Sequence, residues 1–295
     1  SISGYPSLKY IKPIIKNTNS LGLVNKESVV LGGYIINKLC SKYKTKLFAL
    51  DSEHFSIQNT FENNTFVKKN NIKNILLTAS GGPFFNKNNN YIKSVKFNQV
   101  VNHPKWKMGI KNSIDSANLV NKCLEIIEAH YLFNIDYNKL GIVIHPESLI
   151  HSIIEFNDYT SSFNYFYHDM FIPIFNFYNN NYDFVSKKPK NKKFNINKTI
   201  NLNFYEPNKI KFPILRTFEN MDKNEHKNII NFNTGNELAV ELFTKGKINF
   251  KDINKIIEKS LSINIKIQLN NIENIIMYQN EVFEKLKSIL SKTYL

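Results

Sequence analysis

Two short apolar segments that each end in a cluster of polar residues constrain the fold of this 295-residue chain most strongly. Residues 46–50 run directly into Asp51-Ser52-Glu53-His54, and residues 75–78 run into Ala79-Ser80-Gly81-Gly82-Pro83. Between residues 28 and 44 the apolar side chains have helical spacing. Strands that alternate with helices and present polar side chains at their C-terminal ends are typical of α/β proteins. The sequence therefore predicts an α/β fold with a site at these strand ends.

The rest of the chain divides into a second α/β region, a polar connector and a helical end. Further strands are predicted over 141–145 and 148–156, and helices over 115–133, 235–243, 250–263 and 272–290. Residues 179–206 are rich in Asn, Lys and Tyr and show little periodicity, which is typical of a connector. We therefore expect an α/β domain over 51–178, a connector over 179–206 and a small helical domain over 207–295.

The charge of the chain raises the possibility of a nucleic-acid partner. Lys and Arg total 39 against 24 Asp and Glu, which gives a formal net charge of +15. However, Arg216 is the only arginine, and nucleic-acid sites favour the bidentate guanidinium group. The densest lysine cluster, within 187–193, also contains Asn and Pro and is typical of a solvated linker. The sequence therefore predicts no nucleic-acid partner, and a basic nucleic-acid-binding protein remains an alternative.

Cysteine and apolar patterns exclude other classes. Cys40 and Cys123 are neither clustered nor paired in a way that predicts a disulfide framework or a zinc site. No apolar stretch approaches the roughly 18 unbroken residues of a membrane span, so we expect no membrane partner. The chain begins at Ser1 without an initiator Met, and we interpret it as a fragment or a processed product.

Carboxylates in two places predict a divalent-cation site. Asp51 and Glu53 are two residues apart, so both side chains point to the same side of an extended segment. On the helix predicted over 115–133, Asn121, Glu125 and Glu128 share one face. Paired carboxylate oxygens suit Mg²⁺ or Mn²⁺, and the lack of a thiol cluster argues against zinc. An ordinary solvated polar face explains the helix pattern equally well at this point.

The start of the same helix has the features of an anion site. Asp115 and Ser116 are a predicted N-cap, followed by the amide of Asn121 and the ammonium group of Lys122. Hydroxyl, amide and ammonium groups near a helix N-terminus suit a phosphate. Ser80 adds a hydroxyl on a glycine-rich turn, although such turns are usually only turns.

One loop and three histidines allow two interpretations each. Trp106, the only tryptophan, lies in a polar loop and is either a core residue or part of a flap over a ligand. His103 opens the same loop and either donates to a phosphate or hydroxyl, or is structural. His145 and His151 fall in predicted strands, where the structural interpretation is stronger.

These candidate residues belong to short motifs that follow one another along the chain. In order they are Asn25-Lys26-Glu27-Ser28, Asp51-Ser52-Glu53-His54, residues 78–84, His103-Pro104-Lys105-Trp106-Lys107-Met108-Gly109, Asp115-Ser116-Ala117, Asn121-Lys122, Leu124-Glu125, Glu128-Ala129, His145-Pro146-Glu147-Ser148, Ile150-His151-Ser152, Asp169-Met170 and residues 236–240. The series resembles the 1-deoxy-D-xylulose 5-phosphate reductoisomerase family, over nearly the whole chain outside the connector. The resemblance implies an NADPH-dependent oxidoreductase that makes 2-C-methyl-D-erythritol 4-phosphate for isoprenoid biosynthesis.

The resemblance also implies a role for each candidate residue. The family's three metal ligands, for Mg²⁺ or Mn²⁺, match Asp51, Glu53 and Glu125. Its phosphate-binding group matches Ser80, Ser116, Asn121 and Lys122. Further substrate contacts match Lys26, Ser52 and His103, and the flexible flap matches Trp106 and Met108. The positions that meet the nicotinamide nucleotide match Asn25, Glu27 and Gly109. Among these residues Lys26, Glu53 and His103 are the implied catalytic groups.

One part of the family pattern is missing. The family opens with a Rossmann-type nucleotide domain that carries a glycine-rich turn, and no G-x-G-x-x-G motif occurs here. We therefore interpret residues 1–50 as the C-terminal remnant of the NADPH-binding domain, and we expect this polypeptide alone to be inactive. A non-redox, metal-dependent sugar-phosphate isomerase or lyase is the second alternative function.

The resemblance and the composition together give expectations about assembly and location. The resemblance implies a homodimer and a small phosphorylated sugar as the substrate. Richness in Lys, Asn and Ile, combined with this pathway, predicts the stroma of a plastid-like organelle of the apicoplast type, or the cytoplasm if the source is bacterial.

Overall fold

A computed structural model of the chain describes residues 4–63, 67–88, 91–92, 95–101, 109–181 and 199–294. Strands in these ranges are β1 (Ser20–Leu23), β2 (Lys46–Ala49), β3 (Ile72–Ala79), β4 (Leu140–Ile144), β5 (Ile150–Phe156) and β6 (Ser161–Tyr165). Helices in the same ranges are α1 (Leu8–Lys16), α2 (Lys26–Tyr43), α3 (Ser52–Asn63), α4 (Phe97–Val101), α5 (Ile110–Asn118), α6 (Val120–Phe133), α7 (Phe171–Asn181), α8 (Ile214–Asn220), α9 (His226–Thr244), α10 (Asp252–Leu261) and α11 (Ile272–Tyr294).

The strands form two sheets, and the predicted α/β class is confirmed. β1 and β2 pair in parallel, joined by α2, which is the crossover that a parallel pair requires. The other sheet has the order β4-β3-β5-β6, in which β3 runs parallel to β4 and antiparallel to β5. β2 and β3 lead directly into the two polar clusters, so both clusters lie at C-terminal strand ends.

The segment that follows β2 is not extended, so the geometric argument for Asp51 and Glu53 is wrong. α3 begins at Ser52, which places Glu53 in its first turn. Asp51 immediately precedes the helix, and its Oδ1 accepts a hydrogen bond from the Glu53 backbone N–H at 3.3 Å. The two carboxylates are therefore brought together by the start of a helix.

The single helix predicted over 115–133 is two helices. α5 and α6 meet at Leu119, whose backbone is left-handed, with φ 67° and ψ 11°. The Leu119 side chain is 1% exposed, and Asn118 Oδ1 accepts a hydrogen bond from the Val120 backbone N–H at 2.9 Å. Core packing and this cap stabilise the break. The predicted N-cap at Asp115 and Ser116 is therefore wrong, because both residues lie inside α5, while Asn121 and Lys122 do lie in the first turn of a helix.

The C-terminal region is helical, as predicted, but α9 begins nine residues before its predicted start at Gly235. Its first half carries buried amides that interrupt the apolar pattern, such as Asn231, which donates to Ile263 O at 2.7 Å. A Cβ on Gly235 would lie 2.3 Å from Ser260 Oγ, so glycine allows α9 to pack closely on α10.

The last helix packs against the first part of the chain. α11 contacts α1 and α2, and Tyr5 Oη donates to Asn280 Oδ1 at 3.1 Å. Tyr34 on α2 likewise donates to the carbonyl oxygen of Leu269, just before α11. The buried apolar residues form a cluster that extends from Leu8 to Leu290. The expected domain boundaries stay predictions, and residues 182–198 of the expected connector lie outside the described ranges.

Among the described residues, the helices that are long enough to cross a membrane are too polar to do so.

Candidate active site

A cavity of about 780 Å³ lies where the C-terminal ends of β2 and β3 face the first turns of α2 and α6. Side chains from the predicted site contribute to its wall, including Lys26, Asp51, Ser80 and Glu125. A concave volume of this size with convergent polar groups is typical of a site for a small molecule. We call it the charged cavity.

Three carboxylates meet in the charged cavity. One oxygen from each of Asp51, Glu53 and Glu125 lies within 4.8 Å of the others. Burial and the neighbouring Glu125 raise the pKa of Glu53 to about 8, although Lys122 opposes this shift. Carboxylate oxygens at this spacing are the hard ligands that Mg²⁺ and Mn²⁺ prefer. The residues present therefore fit a divalent cation.

Two buried lysines balance part of the negative charge. Lys26 Nζ lies 3.0 Å from Asp51 Oδ2, 3.3 Å from Glu125 Oε1 and 3.2 Å from Glu128 Oε2. Burial alone would lower the pKa of Lys26, but these carboxylates raise it well above its usual value, so the amine is charged. Lys122 Nζ lies 2.6 Å from Glu125 Oε2 and also pairs with Glu53.

The charge balance of the cluster gives a second test of whether a cation fits. Four carboxylates, Asp51, Glu53, Glu125 and Glu128, face two ammonium groups, which leaves an excess of two negative charges when all are ionised. Burial also raises the pKa of Glu128 to about 7. A divalent cation would neutralise this excess and allow every carboxylate to be ionised.

His54, for which no functional role was predicted, lies next to this cluster. Its side chain is fully buried, and one ring nitrogen, Nε2, lies 2.9 Å from the Glu125 carbonyl oxygen. The other, Nδ1, faces Asp51 Oδ1 at 3.7 Å and Glu128 Oε2 at 3.9 Å. Its position three residues after Asp51 was a local signal, but α3, whose first turn contains His54, was not predicted.

The four predicted phosphate ligands all line the charged cavity. A Cβ on Gly82 would lie 3.0 Å from Ser116 O and 3.1 Å from Ala117 Cα, so the glycine turn packs directly on α5. This close approach brings Ser80 and Ser116 to the same wall. Asn121 donates to Glu125, and Lys122 pairs with Glu53 and Glu125, so a bound anion must compete with carboxylates for both.

The three residues expected near a nucleotide also line the charged cavity. Asn25 is the N-cap of α2, because its Oδ1 accepts a hydrogen bond from the Ser28 backbone N–H at 2.7 Å. Glu27 Oε1 lies 3.3 Å from Lys111 Nζ. Gly109 precedes α5, and a Cβ there would meet no atom of the described residues within 4 Å.

The remaining predicted residues fall into two groups. Ser52 lines the charged cavity and donates a hydrogen bond to Glu53. His103, Trp106 and Met108 lie outside the described residues, so their predicted roles as substrate contact and flap stay predictions.

His145, which directly follows β4, and His151, in β5, are both buried and bonded to backbone carbonyls. His145 Nδ1 lies 2.9 Å from Asn203 O, and His151 Nε2 lies 3.1 Å from Phe166 O. His151 also stacks on Phe166, and burial lowers its pKa to about 3. These contacts agree with the structural interpretation, although His151 also contributes to the cavity wall.

Comparison with known proteins gives consistent relatives. Residues 47–133 match the family model of the 1-deoxy-D-xylulose 5-phosphate reductoisomerase C-terminal domain, and residues 167–285 match that of the DXP reductoisomerase C-terminal domain. The 1-deoxy-D-xylulose 5-phosphate reductoisomerase of Pelagibacter ubique is 40% identical over 259 residues, which cover 88% of this chain and 65% of that protein. The protein of the same name from Clostridium kluyveri is 36% identical over 300 residues, covering 99% of this chain and 74% of that protein.

Solved structures include a similar fold. A crystal structure of DOX-P reductoisomerase in complex with NADPH, fosmidomycin and magnesium superposes with a TM-score of 0.87 at 29% identity, and the match covers 99% of this chain and 76% of that one.

The relatives also bear on the source and on the family. The two relatives described above are bacterial, which argues against the expected plastid-like location. The chain thus spans about two thirds to three quarters of the length of these relatives. Because the identity exceeds 30% over nearly the whole chain, and both family models match it, the chain belongs to the 1-deoxy-D-xylulose 5-phosphate reductoisomerase family.

Proposed function

We propose that this chain forms the metal- and substrate-binding part of an enzyme that isomerises and reduces 1-deoxy-D-xylulose 5-phosphate to 2-C-methyl-D-erythritol 4-phosphate with NADPH. The observation that carries the proposal is the cluster of Asp51, Glu53 and Glu125, whose oxygens lie within 4.8 Å of one another. The similar solved structure contains NADPH and magnesium, which supports both cofactors.

In this proposal Asp51, Glu53 and Glu125 hold Mg²⁺ or Mn²⁺. A cation held there supplies Lewis-acid polarisation of the substrate's ketone and hydroxyl oxygens, and NADPH supplies the hydride. Lys26 is charged and buried beside the same carboxylates, so its ammonium group stabilises negative charge that develops on those oxygens.

The second part of the proposal concerns the phosphate. Ser80, Ser116, Asn121 and Lys122 bind it at a distance from the reacting carbons. Binding energy from a remote, non-reacting group holds the substrate in place and offsets the cost of orienting it. Displacement of Lys122 and Asn121 from Glu125 toward the phosphate also frees Glu125 to bind the cation.

The third part concerns the nucleotide. Asn25, Glu27 and Gly109 line the same cavity. Gly109 has no side chain, so a flat ring can approach its backbone closely. We assign these three residues to contacts with the nicotinamide nucleotide.

We also propose a homodimer. Edge strand β6 exposes Phe163, which is 48% exposed, and an edge strand with an exposed aromatic residue is available for pairing. Size-exclusion chromatography with light scattering measures the mass directly, and a monomer at micromolar concentration contradicts this part.

Substrate-dependent oxidation of NADPH by the full-length gene product that contains this chain is the test of the proposed activity. We expect turnover that requires Mg²⁺ or Mn²⁺ and that stops when a chelator removes it. Metal-dependent conversion of the substrate without NADPH oxidation would instead support the non-redox isomerase or lyase. Assaying residues 1–295 alone tests the further expectation that this polypeptide is inactive by itself.

A further inference from the structure

A second cluster of charged residues includes Glu27, the residue that follows Lys26 on α2. Lys111 Nζ lies 2.7 Å from Asp115 Oδ2 and 3.3 Å from Glu27 Oε1. Asp115 is 1% exposed, and its other oxygen accepts a hydrogen bond from Asn236 Nδ2 at 2.9 Å. The Lys111 ammonium group is therefore held between α2 and α5, and Asp115 anchors it to α9.

Glu27 interacts with two lysines that belong to different clusters. It directly follows Lys26 in the first turn of α2, and both residues are less than 10% exposed. Burial would raise the pKa of Glu27, but Lys111 and, more weakly, Lys26 lower it below its usual value. Lys26 itself contacts only other carboxylates among the described ion pairs, those of Asp51, Glu125 and Glu128. Glu27 is thus a nearby competitor for Lys26 that Lys111 already neutralises.

We propose that Lys111 is a positioning residue: by neutralising Glu27, it keeps the neighbouring Lys26 on the Asp51, Glu125 and Glu128 carboxylates. The consequence for turnover rests on the proposed function, because it requires Lys26 to act on the substrate. The separation of the two lysines into two clusters does not depend on that function, because it follows from distances and charges alone.

Glu237, another titratable group near Lys111, does not take over the neutralisation of Glu27. Glu237 on α9 lines the charged cavity and accepts hydrogen bonds from Asn233 at 3.2 Å and from Gln279 at 2.9 Å. Burial raises the pKa of Glu237 to about 7, so Glu237 carries only part of a negative charge near neutral pH, and as an acid it cannot neutralise Glu27.

Mn²⁺ titration of the purified protein, followed by electron paramagnetic resonance of the free ion, tests the proposal without any assay of activity. In Lys111→Met, Glu27 is no longer neutralised and attracts Lys26. The carboxylate cluster then loses part of its counter-charge, so we expect Mn²⁺ to bind several-fold more tightly. Turnover of the full-length enzyme should fall by about tenfold or more, which is typical for the loss of a supporting residue.

A second substitution distinguishes positioning from simple structural support. Lys111→Met combined with Glu27→Gln removes the competitor, so Mn²⁺ affinity should return toward that of the unchanged protein, and Lys111→Arg should behave like the unchanged protein. Weaker Mn²⁺ binding in Lys111→Met, or no recovery in the double variant, overturns the proposal. Lys245→Met removes an exposed ion pair with Glu241 and serves as the matched control, with no expected change.

A third variant serves as the control for misfolding of Lys111→Met. If Lys111→Met unfolds because Asp115 is left buried and unpaired, Lys111→Met combined with Asp115→Asn removes that charge while Glu27 stays ionised. The same tightening of Mn²⁺ binding is expected, and its absence in this folded variant overturns the proposal. Absence of turnover in the unchanged full-length protein would contradict the proposed function, whereas the Mn²⁺ titrations would still decide this inference.

Discussion

Two cavities are both lined by residues at the junction between α5 and α6, and they differ in volume and in the polarity of their lining. The charged cavity has about 780 Å³ and receives Ser116, Asn121 and Lys122 from the junction. The other cavity has about 370 Å³ and receives Ala117, Asn118 and Val120 from it, together with apolar residues such as Ile214, Phe250 and Ile253. We call the second one the apolar cavity.

The comparison shows how one short segment serves both chemistry and packing. Three of the four polar side chains of residues 116–122 line the charged cavity, whereas Ala117 and Val120 line the apolar cavity. Leu119 and Asn118 are the exceptions, since they line the charged and the apolar cavity, respectively. We therefore expect substitutions in the charged cavity to change ligand binding and turnover, and substitutions in the apolar cavity to change the free energy of unfolding.

The largest expected effect is on turnover. Glu125→Gln removes one of the three candidate metal ligands but keeps the size of a side chain that is 1% exposed. We expect turnover of the full-length enzyme to fall by about a hundredfold or more, with weaker Mn²⁺ binding and no loss in the free energy of unfolding. Kinetic assay, Mn²⁺ titration and urea unfolding measure the three quantities. The matched control is Glu241→Gln, at an exposed position on α9. Unchanged turnover in Glu125→Gln would remove Glu125 from the site.

The opposite result is expected from the apolar cavity. Ile253→Ala removes buried methyl groups from a residue that is 1% exposed, so the free energy of unfolding should fall by about 3 kcal/mol. Turnover per folded molecule should stay within about twofold, because none of the described candidate ligands lines the apolar cavity. Urea unfolding and kinetic assay at low temperature measure both. A tenfold loss of turnover in the folded variant would show that the two cavities are coupled.

A smaller effect, on stability and on KM, is expected from the glycine turn that follows Ser80 and packs against α5. Gly82→Ala places a Cβ 3.0 Å from Ser116 O at a residue with φ 65°, whereas Gly246→Ala adds a Cβ at φ 68° with no described atom within 4 Å. Both substitutions carry the left-handed backbone cost of about 1–2 kcal/mol, measured by urea unfolding. Only Gly82→Ala should also raise the KM for the phosphorylated substrate, because it separates Ser80 from Ser116. Equal KM values in the two variants would argue against a shared phosphate site.

The smallest effect concerns the pH dependence of stability. Burial raises the pKa of Glu237 to about 7, so the folded protein binds a proton that the unfolded chain releases above its ordinary value of 4.5. The stability that this proton contributes is fully present below pH 4.5 and is lost as the pH rises through about 7. Glu237 is half-buried, so we expect Glu237→Gln to gain about 1 kcal/mol relative to the unchanged protein between pH 5 and pH 8. Thermal unfolding at the two pH values checks this, and the exposed Glu241→Gln should show no such difference.

Much of the candidate site was accessible from the sequence because its residues belong to local motifs. Asp51 and Glu53 follow a strand, and Asn121, Lys122 and Glu125 recur at helical spacing. Their residue types alone predict oxygen ligands for a cation and donors for an anion. The α/β class and the helical end were likewise predictable, since hydrophobic periodicity is a local property.

The remaining features depend on tertiary contacts that periodicity does not contain. The break at Leu119 was missed because apolar spacing continues across it, and the left-handed turn is stabilised by burial of its side chain. Lys111 and His54 each have one carboxylate nearby in sequence, Asp115 and Asp51, but a single local pair does not distinguish a site from an ordinary surface. Their other partners, Glu27 for Lys111 and Glu125 for His54, are distant in sequence, so both residues were missed. Single lysines and histidines carry no signal until folding places carboxylates around them.

The packing of α11 against α1 and α2 has a consequence for the order of folding. Tyr5 and Asn280 are 275 residues apart, and Tyr34 contacts the segment just before α11. Contacts of such long range form late, because the chain must first close a large loop. During synthesis, α2, which begins with Lys26 and Glu27, therefore leaves the ribosome before its packing partner α11 has been made. The helix that supplies the lysine of the site reaches its native environment only when the last helix of the chain has been made.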